Sequence, residues 1–193
     1  IFEAINFTIS KGKIYGIFGK TGSGKSTFIN LILGLMIPRA GNIFINNNPL
    51  YENNSVVMSE AENLYSQISF ASSKPFIFNG SISDNIVLYD QENYSKERIK
   101  EVLKICLCLE FIDSLPDGYD TTLNKDGNNF SSGQLQRISI ARSLYKKPKF
   151  LILDEATNAL DLKTEIKLYK NIKKYLPEIT IILITHRKEI INI

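Results

Sequence analysis

Apolar and polar positions alternate at Ile5, Phe7 and Ile9, break at Lys11-Gly12, and resume, so residues 5–18 read as two strands around a turn. From Ser26 to Met36 the apolar positions fall on one helical face. Alternation returns over residues 42–46 and ends in an Asn-rich turn, Asn46 to Pro49. Residues 52–67 are too polar to assign, and Ile68 to Ala71 is a short strand. Residues 96–112 place Ile99, Val102, Leu103, Cys106 and Leu109 on one helix face, before the turn Pro116-Asp117-Gly118. Ser132 to Lys146 reads as a further helix. Phe150 to Leu153 and Ile179 to Ile184 are continuously apolar, as strands buried on both faces are. Between them, Leu162 to Leu176 is a helix with a Lys-rich outer face. Strands alternating with helices predict an α/β fold with a parallel sheet. The helical stretch from about 80 to 146 interrupts it as an inserted subdomain.

Composition narrows this picture. The 193 residues suit one domain, 44% hydrophobic and 22% charged. A net charge of +3 does not by itself point to nucleic acid. The longest apolar run, Phe28 to Ile37, is interrupted by Asn30 and falls short of the roughly 18–20 residues of a membrane-spanning helix. No signal-peptide pattern is present at the start. Cys106 and Cys108 lie two apart in a helical pattern, so they point to different sides and are poorly placed for a disulfide, and two free thiols suit a reducing compartment. The chain has no initiating Met, starts in a strand pattern and stops while still apolar, and so reads as a domain cut from a longer polypeptide.

Four groups of residues carry chemistry. Gly19-Lys20-Thr21-Gly22-Ser23-Gly24-Lys25-Ser26-Thr27 fits a phosphate-binding loop between a strand and a helix. Its glycines let backbone N–H groups wrap an anion, and the helix that follows points its positive end at the same place. Lys25 adds a charge near the terminal phosphates, and the Ser26 hydroxyl can ligate Mg²⁺. Phe150 to Leu153 runs into Asp154 and Glu155: the first carboxylate is placed to hold Mg²⁺, the second to orient or deprotonate a water. His186, the single histidine, follows another buried strand and converges on the same sheet edge as a γ-phosphate contact. Phe130-Ser131-Ser132-Gly133-Gln134 opens a helix with Ser131 as its cap, a second anion-binding N-terminus.

In this order the groups resemble the ATP-binding-cassette family over nearly the whole chain. Gly19 to Thr27 resembles its Walker A, Phe130 to Gln134 its L-S-G-G-Q signature, and Phe150 to Glu155 its Walker B. Asn158-Ala159-Leu160-Asp161 is similar to its D-loop and His186 to its switch histidine. Leu115 to Thr121 and Pro75 to Ile82 resemble exporter-type segments. The resemblance implies a P-loop NTPase core of RecA-like type with a parallel sheet, an antiparallel β subdomain and an inserted helical subdomain. The core would cover about 1–75 and 147–193, the helical part about 76–146. It implies ATP and Mg²⁺ as cofactors. Gly19, Thr21, Gly22, Ser23, Gly24, Lys25, Ser26 and Thr27 would hold the nucleotide, with Lys25, Glu155 and His186 acting in catalysis. Ser131, Gly133, Gln134 and Asp161 would act on the nucleotide of a second such domain in a head-to-tail dimer. The partners implied are that second domain, identical or not, and transmembrane domains, with no nucleic acid. The place implied is the cytoplasmic face of a membrane, the bacterial inner membrane.

The chain departs from the family pattern at several points. Aligning Ile68 to Phe78 puts Ser73, a third metal-ligand candidate beside Ser26 and Asp154, where the family has the Gln of its Q-loop. Gln67 is the alternative for that role. Ser132 replaces the first signature Gly, and Asn124-Lys125 stands where exporters have Gly-Glu. The family's adenine-stacking aromatic lies upstream of Ile1. Readings of other kinds are a soluble translation- or DNA-associated relative and a regulatory cassette with impaired hydrolysis. The absence of a heptad insertion between Gly24 and Ser131 opposes a chromosome-type relative, the exporter-like segments oppose a translation factor, and Glu155 with His186 opposes a purely regulatory cassette.

Overall fold

A computed structural model describes residues 5–20, 22–88, 94–124, 129–187 and 189–190. Thr21 and Lys125 lie outside the described residues. The central element is a four-stranded parallel sheet of β1 (Ile14–Ile17), β6 (Ile68–Ser72), β9 (Phe150–Asp154) and β10 (Thr180–Ile184), in the order β1-β10-β9-β6. Its two inner strands are the apolar runs foreseen in the sequence. The two-residue period of strands gives the sheet two faces, and helices pack on both. Leu151, Leu153, Ile181 and Leu183 face one way, into a cluster with α3 (Ile82–Val87), α4 (Lys96–Ile105), α6 (Ser132–Tyr145) and α7 (Leu162–Tyr175). Ile152, Ile182 and Ile184 face the other way, against Ile29 of α1 (Lys25–Ile32).

The polar stretch left unassigned by its sequence forms α2 (Met58–Gln67), which buries only Ala61 and Leu64. Before it come two antiparallel hairpins, β2 (Phe44–Ile45) with β3 (Asn48–Pro49) and β4 (Tyr51–Glu52) with β5 (Ser55–Val56). Each turns on two Asn residues at positive φ, 50° and 72° at Asn46 and Asn47, 50° and 58° at Asn53 and Asn54. Two consecutive left-handed residues make the turn that matches strand twist, and Asn tolerates that backbone. A third pair, β7 (Gly80–Ser81) with β8 (Thr122–Leu123), brackets α3 and α4.

Three expectations need correction. Residues 5–10 form no strand and pair with none of the described strands: alternation supplies an apolar face but does not by itself make a ladder. The Phe7 ring instead packs edge-on to Tyr15, at 5.5 Å between centroids. α1 ends at Ile32 rather than Met36, because the left-handed Gly34 turns the chain and the Leu35 and Met36 N–H groups both donate back to the Asn30 carbonyl. The helix foreseen over 96–112 is two, α4 and α5 (Leu109–Ile112), broken at Leu107 with φ 58°. Cys106 and Cys108 flank that break as free, fully buried thiols, and burial pushes the Cys108 thiol up to about 12.

Candidate functional site

The parallel register aligns the carboxyl ends of all four strands: Ile17 lies beside Ile184, and Asp154 between Ile184 and Ser72. The phosphate-binding loop, Asp154-Glu155, Thr185-His186 and Ser73 therefore leave one edge of the sheet, where open α/β folds bind ligands. An open cavity of about 420 Å³ lies there, lined by Gly22, Gly24, Lys25, Ser26, Thr27, Ser73, Asp154 and Glu155.

On one wall the loop runs from β1 into α1. Gly24 caps the helix at φ 97°, a conformation that a side chain would oppose. Lys25 folds back over the loop, and its ammonium donates to the Gly19 carbonyl at 2.7 Å and the Lys20 carbonyl at 3.2 Å. Ser23 closes the loop through an N–H bond to the Lys20 carbonyl at 3.1 Å.

The opposite wall is acidic. Burial and the neighbouring Glu155 charge raise the Asp154 carboxyl above the usual aspartate range, with Lys25 pulling it partly back. Glu155 leaves β9 with φ 52°, its N–H held by the Ile184 carbonyl at 3.0 Å. That left-handed backbone turns its carboxylate toward His186, whose Nε2 lies 2.9 Å from Glu155 Oε1. Two adjacent carboxylates facing an ammonium, beside the Ser26 hydroxyl, form a donor set suited to a divalent cation that shares oxygens with a phosphate. Among the described residues there is no cluster of three or more His, Cys, Asp or Glu side chains that could hold a metal ion.

Ser73 is among the residues that line the cavity. Gln67, the alternative, closes α2 instead, its amide donating to the Asn63 carbonyl at 2.9 Å. Ser131, Gly133, Gln134 and Asp161 are not among the lining residues; they cap two other helices. Ser131 Oγ accepts from the Gln134 N–H at 3.2 Å while Gln134 Oε1 accepts from the Ser131 N–H at 2.8 Å. The N-terminus of α6 is thus exposed and satisfies its own polar groups. Asp161 caps α7 by accepting from the Thr164 N–H at 2.9 Å, and those bonds hold its carboxyl below the usual range.

Two further side chains have no role assigned to them by the sequence. Gln136 of α6 is buried and bonded to Ser73, Asn158 and Ala159. Arg187 pairs with the buried Glu165 at 2.6 Å. The signal for Gln136 in the sequence is its place two residues beyond the segment Phe130 to Gln134.

The family model for ABC transporters matches residues 2–158. The chain is 40% identical over 183 residues to an uncharacterized ABC transporter ATP-binding protein, YfiB, of Bacillus subtilis (strain 168), covering 95% of this chain and 30% of that protein. It is 37% identical over 187 residues to the leukotoxin translocation ATP-binding protein LktB of Mannheimia glucosida, covering 97% of this chain and 25% of that one. A solved bacterial Atm1-family ABC exporter with ATP bound superposes with a TM-score of 0.84 at 30% identity, covering 96% of this chain and 31% of that chain. The chain therefore spans less than a third of the length of these relatives.

Proposed function

The chain belongs to the ABC transporter family, and on that footing we propose that it binds and hydrolyses ATP as the motor domain of an exporter. The observation that carries this reading is the single cavity joining Lys25, Ser26, Asp154 and Glu155, with His186 against Glu155. Lys25 exchanges the Gly19 and Lys20 carbonyls for the β- and γ-phosphates, and the loop N–H groups hold the remaining phosphate oxygens. Ser26 and Asp154 would hold Mg²⁺, with Ser73 reaching it through water, and the ion would neutralise phosphate charge when bound. Glu155 takes the proton of the attacking water, while His186 fixes the carboxylate and contacts the γ-phosphate. The exposed N-terminus of α6 offers Ser131, Gly133 and Gln134 to the nucleotide of a second such domain, together with Asp161, which follows the Ala159-Leu160 segment packed against Gly133. ATP-driven closure of that pair would move transmembrane domains at the cytoplasmic face of a membrane; no helix among the described residues is itself long and apolar enough to cross one.

Glu155→Gln tests the reading in the intact protein. An amide cannot accept the proton, so MgATP binding is retained and turnover falls by about 10²–10⁴-fold. Full turnover in this variant removes Glu155 as base, and no MgATP binding by the unaltered protein overturns the whole proposal.

A further inference from the structure

Gln136 is 2% exposed, and its amide is fully engaged. Nε2 donates to the Ser73 carbonyl at 3.0 Å and to Asn158 Oδ1 at 2.6 Å, while Oε1 accepts from the Ala159 N–H at 3.0 Å. Three segments thus meet at one buried group: the cavity wall after β6, the turn after Glu155, and the helix that carries Ser131. The turn is itself tied to Glu155, because the Asn158 N–H donates to the Glu155 carbonyl at 3.2 Å. Arg187, next to His186, grips it from the other side through the Asn158 and Leu160 carbonyls at 3.2 and 2.8 Å. α6 also approaches closely at Gly133, where a Cβ would sit 3.2 Å from the Ala159 carbonyl oxygen.

We propose that Gln136 is a positioning residue for ATP hydrolysis: it fixes the Asn158-Ala159 turn, and through it Glu155, against Ser73 and α6. This rests on the reading of the cavity as the site of hydrolysis. The phosphate-holding groups lie on the loop before α1, which Gln136 does not touch. Loss of its bonds therefore displaces the base and leaves nucleotide binding intact. Displacement of a reacting group by about 1 Å costs up to about 10²-fold in rate.

The test uses the intact protein that carries this chain. MgATP turnover, KM, nucleotide affinity and thermal stability are measured for Gln136→Met, Asn158→Ala, Asn158→Asp and the Gln136→Met/Asn158→Ala pair. Asn158 is exposed, so its variants fold even if the buried Met variant does not. Gln136→Met and Asn158→Ala are each expected to lower kcat about tenfold with KM and affinity nearly unchanged. Asn158→Asp keeps the Oδ1 acceptor and restores turnover to within about twofold, and the pair is no worse than its worse member. Hydrogen exchange at the Ala159 amide quickens in Gln136→Met. The proposal falls if the unaltered protein turns over and Asn158→Ala keeps its kcat. It falls equally if Asn158→Asp is as slow as Asn158→Ala. An unaltered protein that binds MgATP without turnover overturns the hydrolytic reading and this proposal with it, a result distinct from either of the others.

Discussion

Glu155 Oε1 and His186 Nε2 stand 2.9 Å apart although they leave different strands, and the register of β9 and β10 is what brings them together. A carboxylate on a left-handed residue has few neighbours to fix its direction, and the imidazole supplies one. His186→Ala is expected to lower MgATP turnover by about 10²-fold while nucleotide affinity changes far less. Steady-state kinetics beside calorimetric titration separate the two, and equal losses in both would show that His186 serves binding.

In the proposed site Lys25 would supply a charge-assisted bond to phosphate worth about 1.5–3 kcal/mol. Lys25→Ala should therefore weaken MgATP binding by about 10–100-fold in calorimetry. Unchanged affinity would remove the ammonium from the phosphate site.

Asp154 ties binding to acidity. Its folded carboxyl titrates above the unfolded value, so ionising it costs stability: the penalty begins above the ordinary aspartate range and is complete above the raised value. At neutral pH Asp154→Asn should raise Tm, by only about 1–2 °C because the group is half open to water. The same variant should lose the extra thermal protection that Mg²⁺ adds to ATP. Thermal scans with ATP, with and without Mg²⁺, check both signs at once.

Arg187 neutralises Glu165, which is 1% exposed and also receives the Thr157 hydroxyl. Arg187→Met leaves a buried carboxylate without its counter-charge, at a cost of about 3–5 kcal/mol. Adding Glu165→Gln should recover much of this in urea unfolding. A single variant as stable as the unaltered protein would show the pair to be dispensable.

Ser73 lines the cavity with a short side chain, and the proposed alignment sets it at the Q-loop position, where the family carries a longer amide. Ser73→Gln should raise ATPase activity, or its dependence on transported substrate, about tenfold, or roughly 1.4 kcal/mol of barrier. An unchanged rate would show the substitution to be neutral.

The parts of the site legible in the sequence are those whose chemistry is local. A loop that needs Gly24 at φ 97° and an ammonium one residue later has a fixed spacing, and a buried strand ending in Asp154-Glu155 announces itself by its apolar run. Gln136 and Arg187 carry no such mark. Their partners lie 63 and 22 positions away, and only the packing of α6 and α7 against the sheet makes them neighbours. The same limit explains Ile5 to Ile9, whose alternation is compatible with a strand but cannot supply a pairing edge. It also explains α2, whose two buried residues give too narrow an apolar stripe to be read.

The strand order β1-β10-β9-β6 sets the earliest and latest of the described strands side by side, and the Gly12 N–H reaches Thr180 Oγ1 across 168 positions. On the ribosome, β1 emerges before the other described strands, yet among them it hydrogen-bonds to β10 alone. At about 5–20 residues per second, the backbone that carries the phosphate-binding loop waits on the order of 10–30 s for its neighbour to be made. During that interval its apolar face and open edge depend on chaperones or on transient contacts for protection. The nucleotide loop can thus be anchored in its sheet only after translation has passed Ile184, so a ribosome stalled earlier holds an ATP-binding sequence without an ATP-binding site.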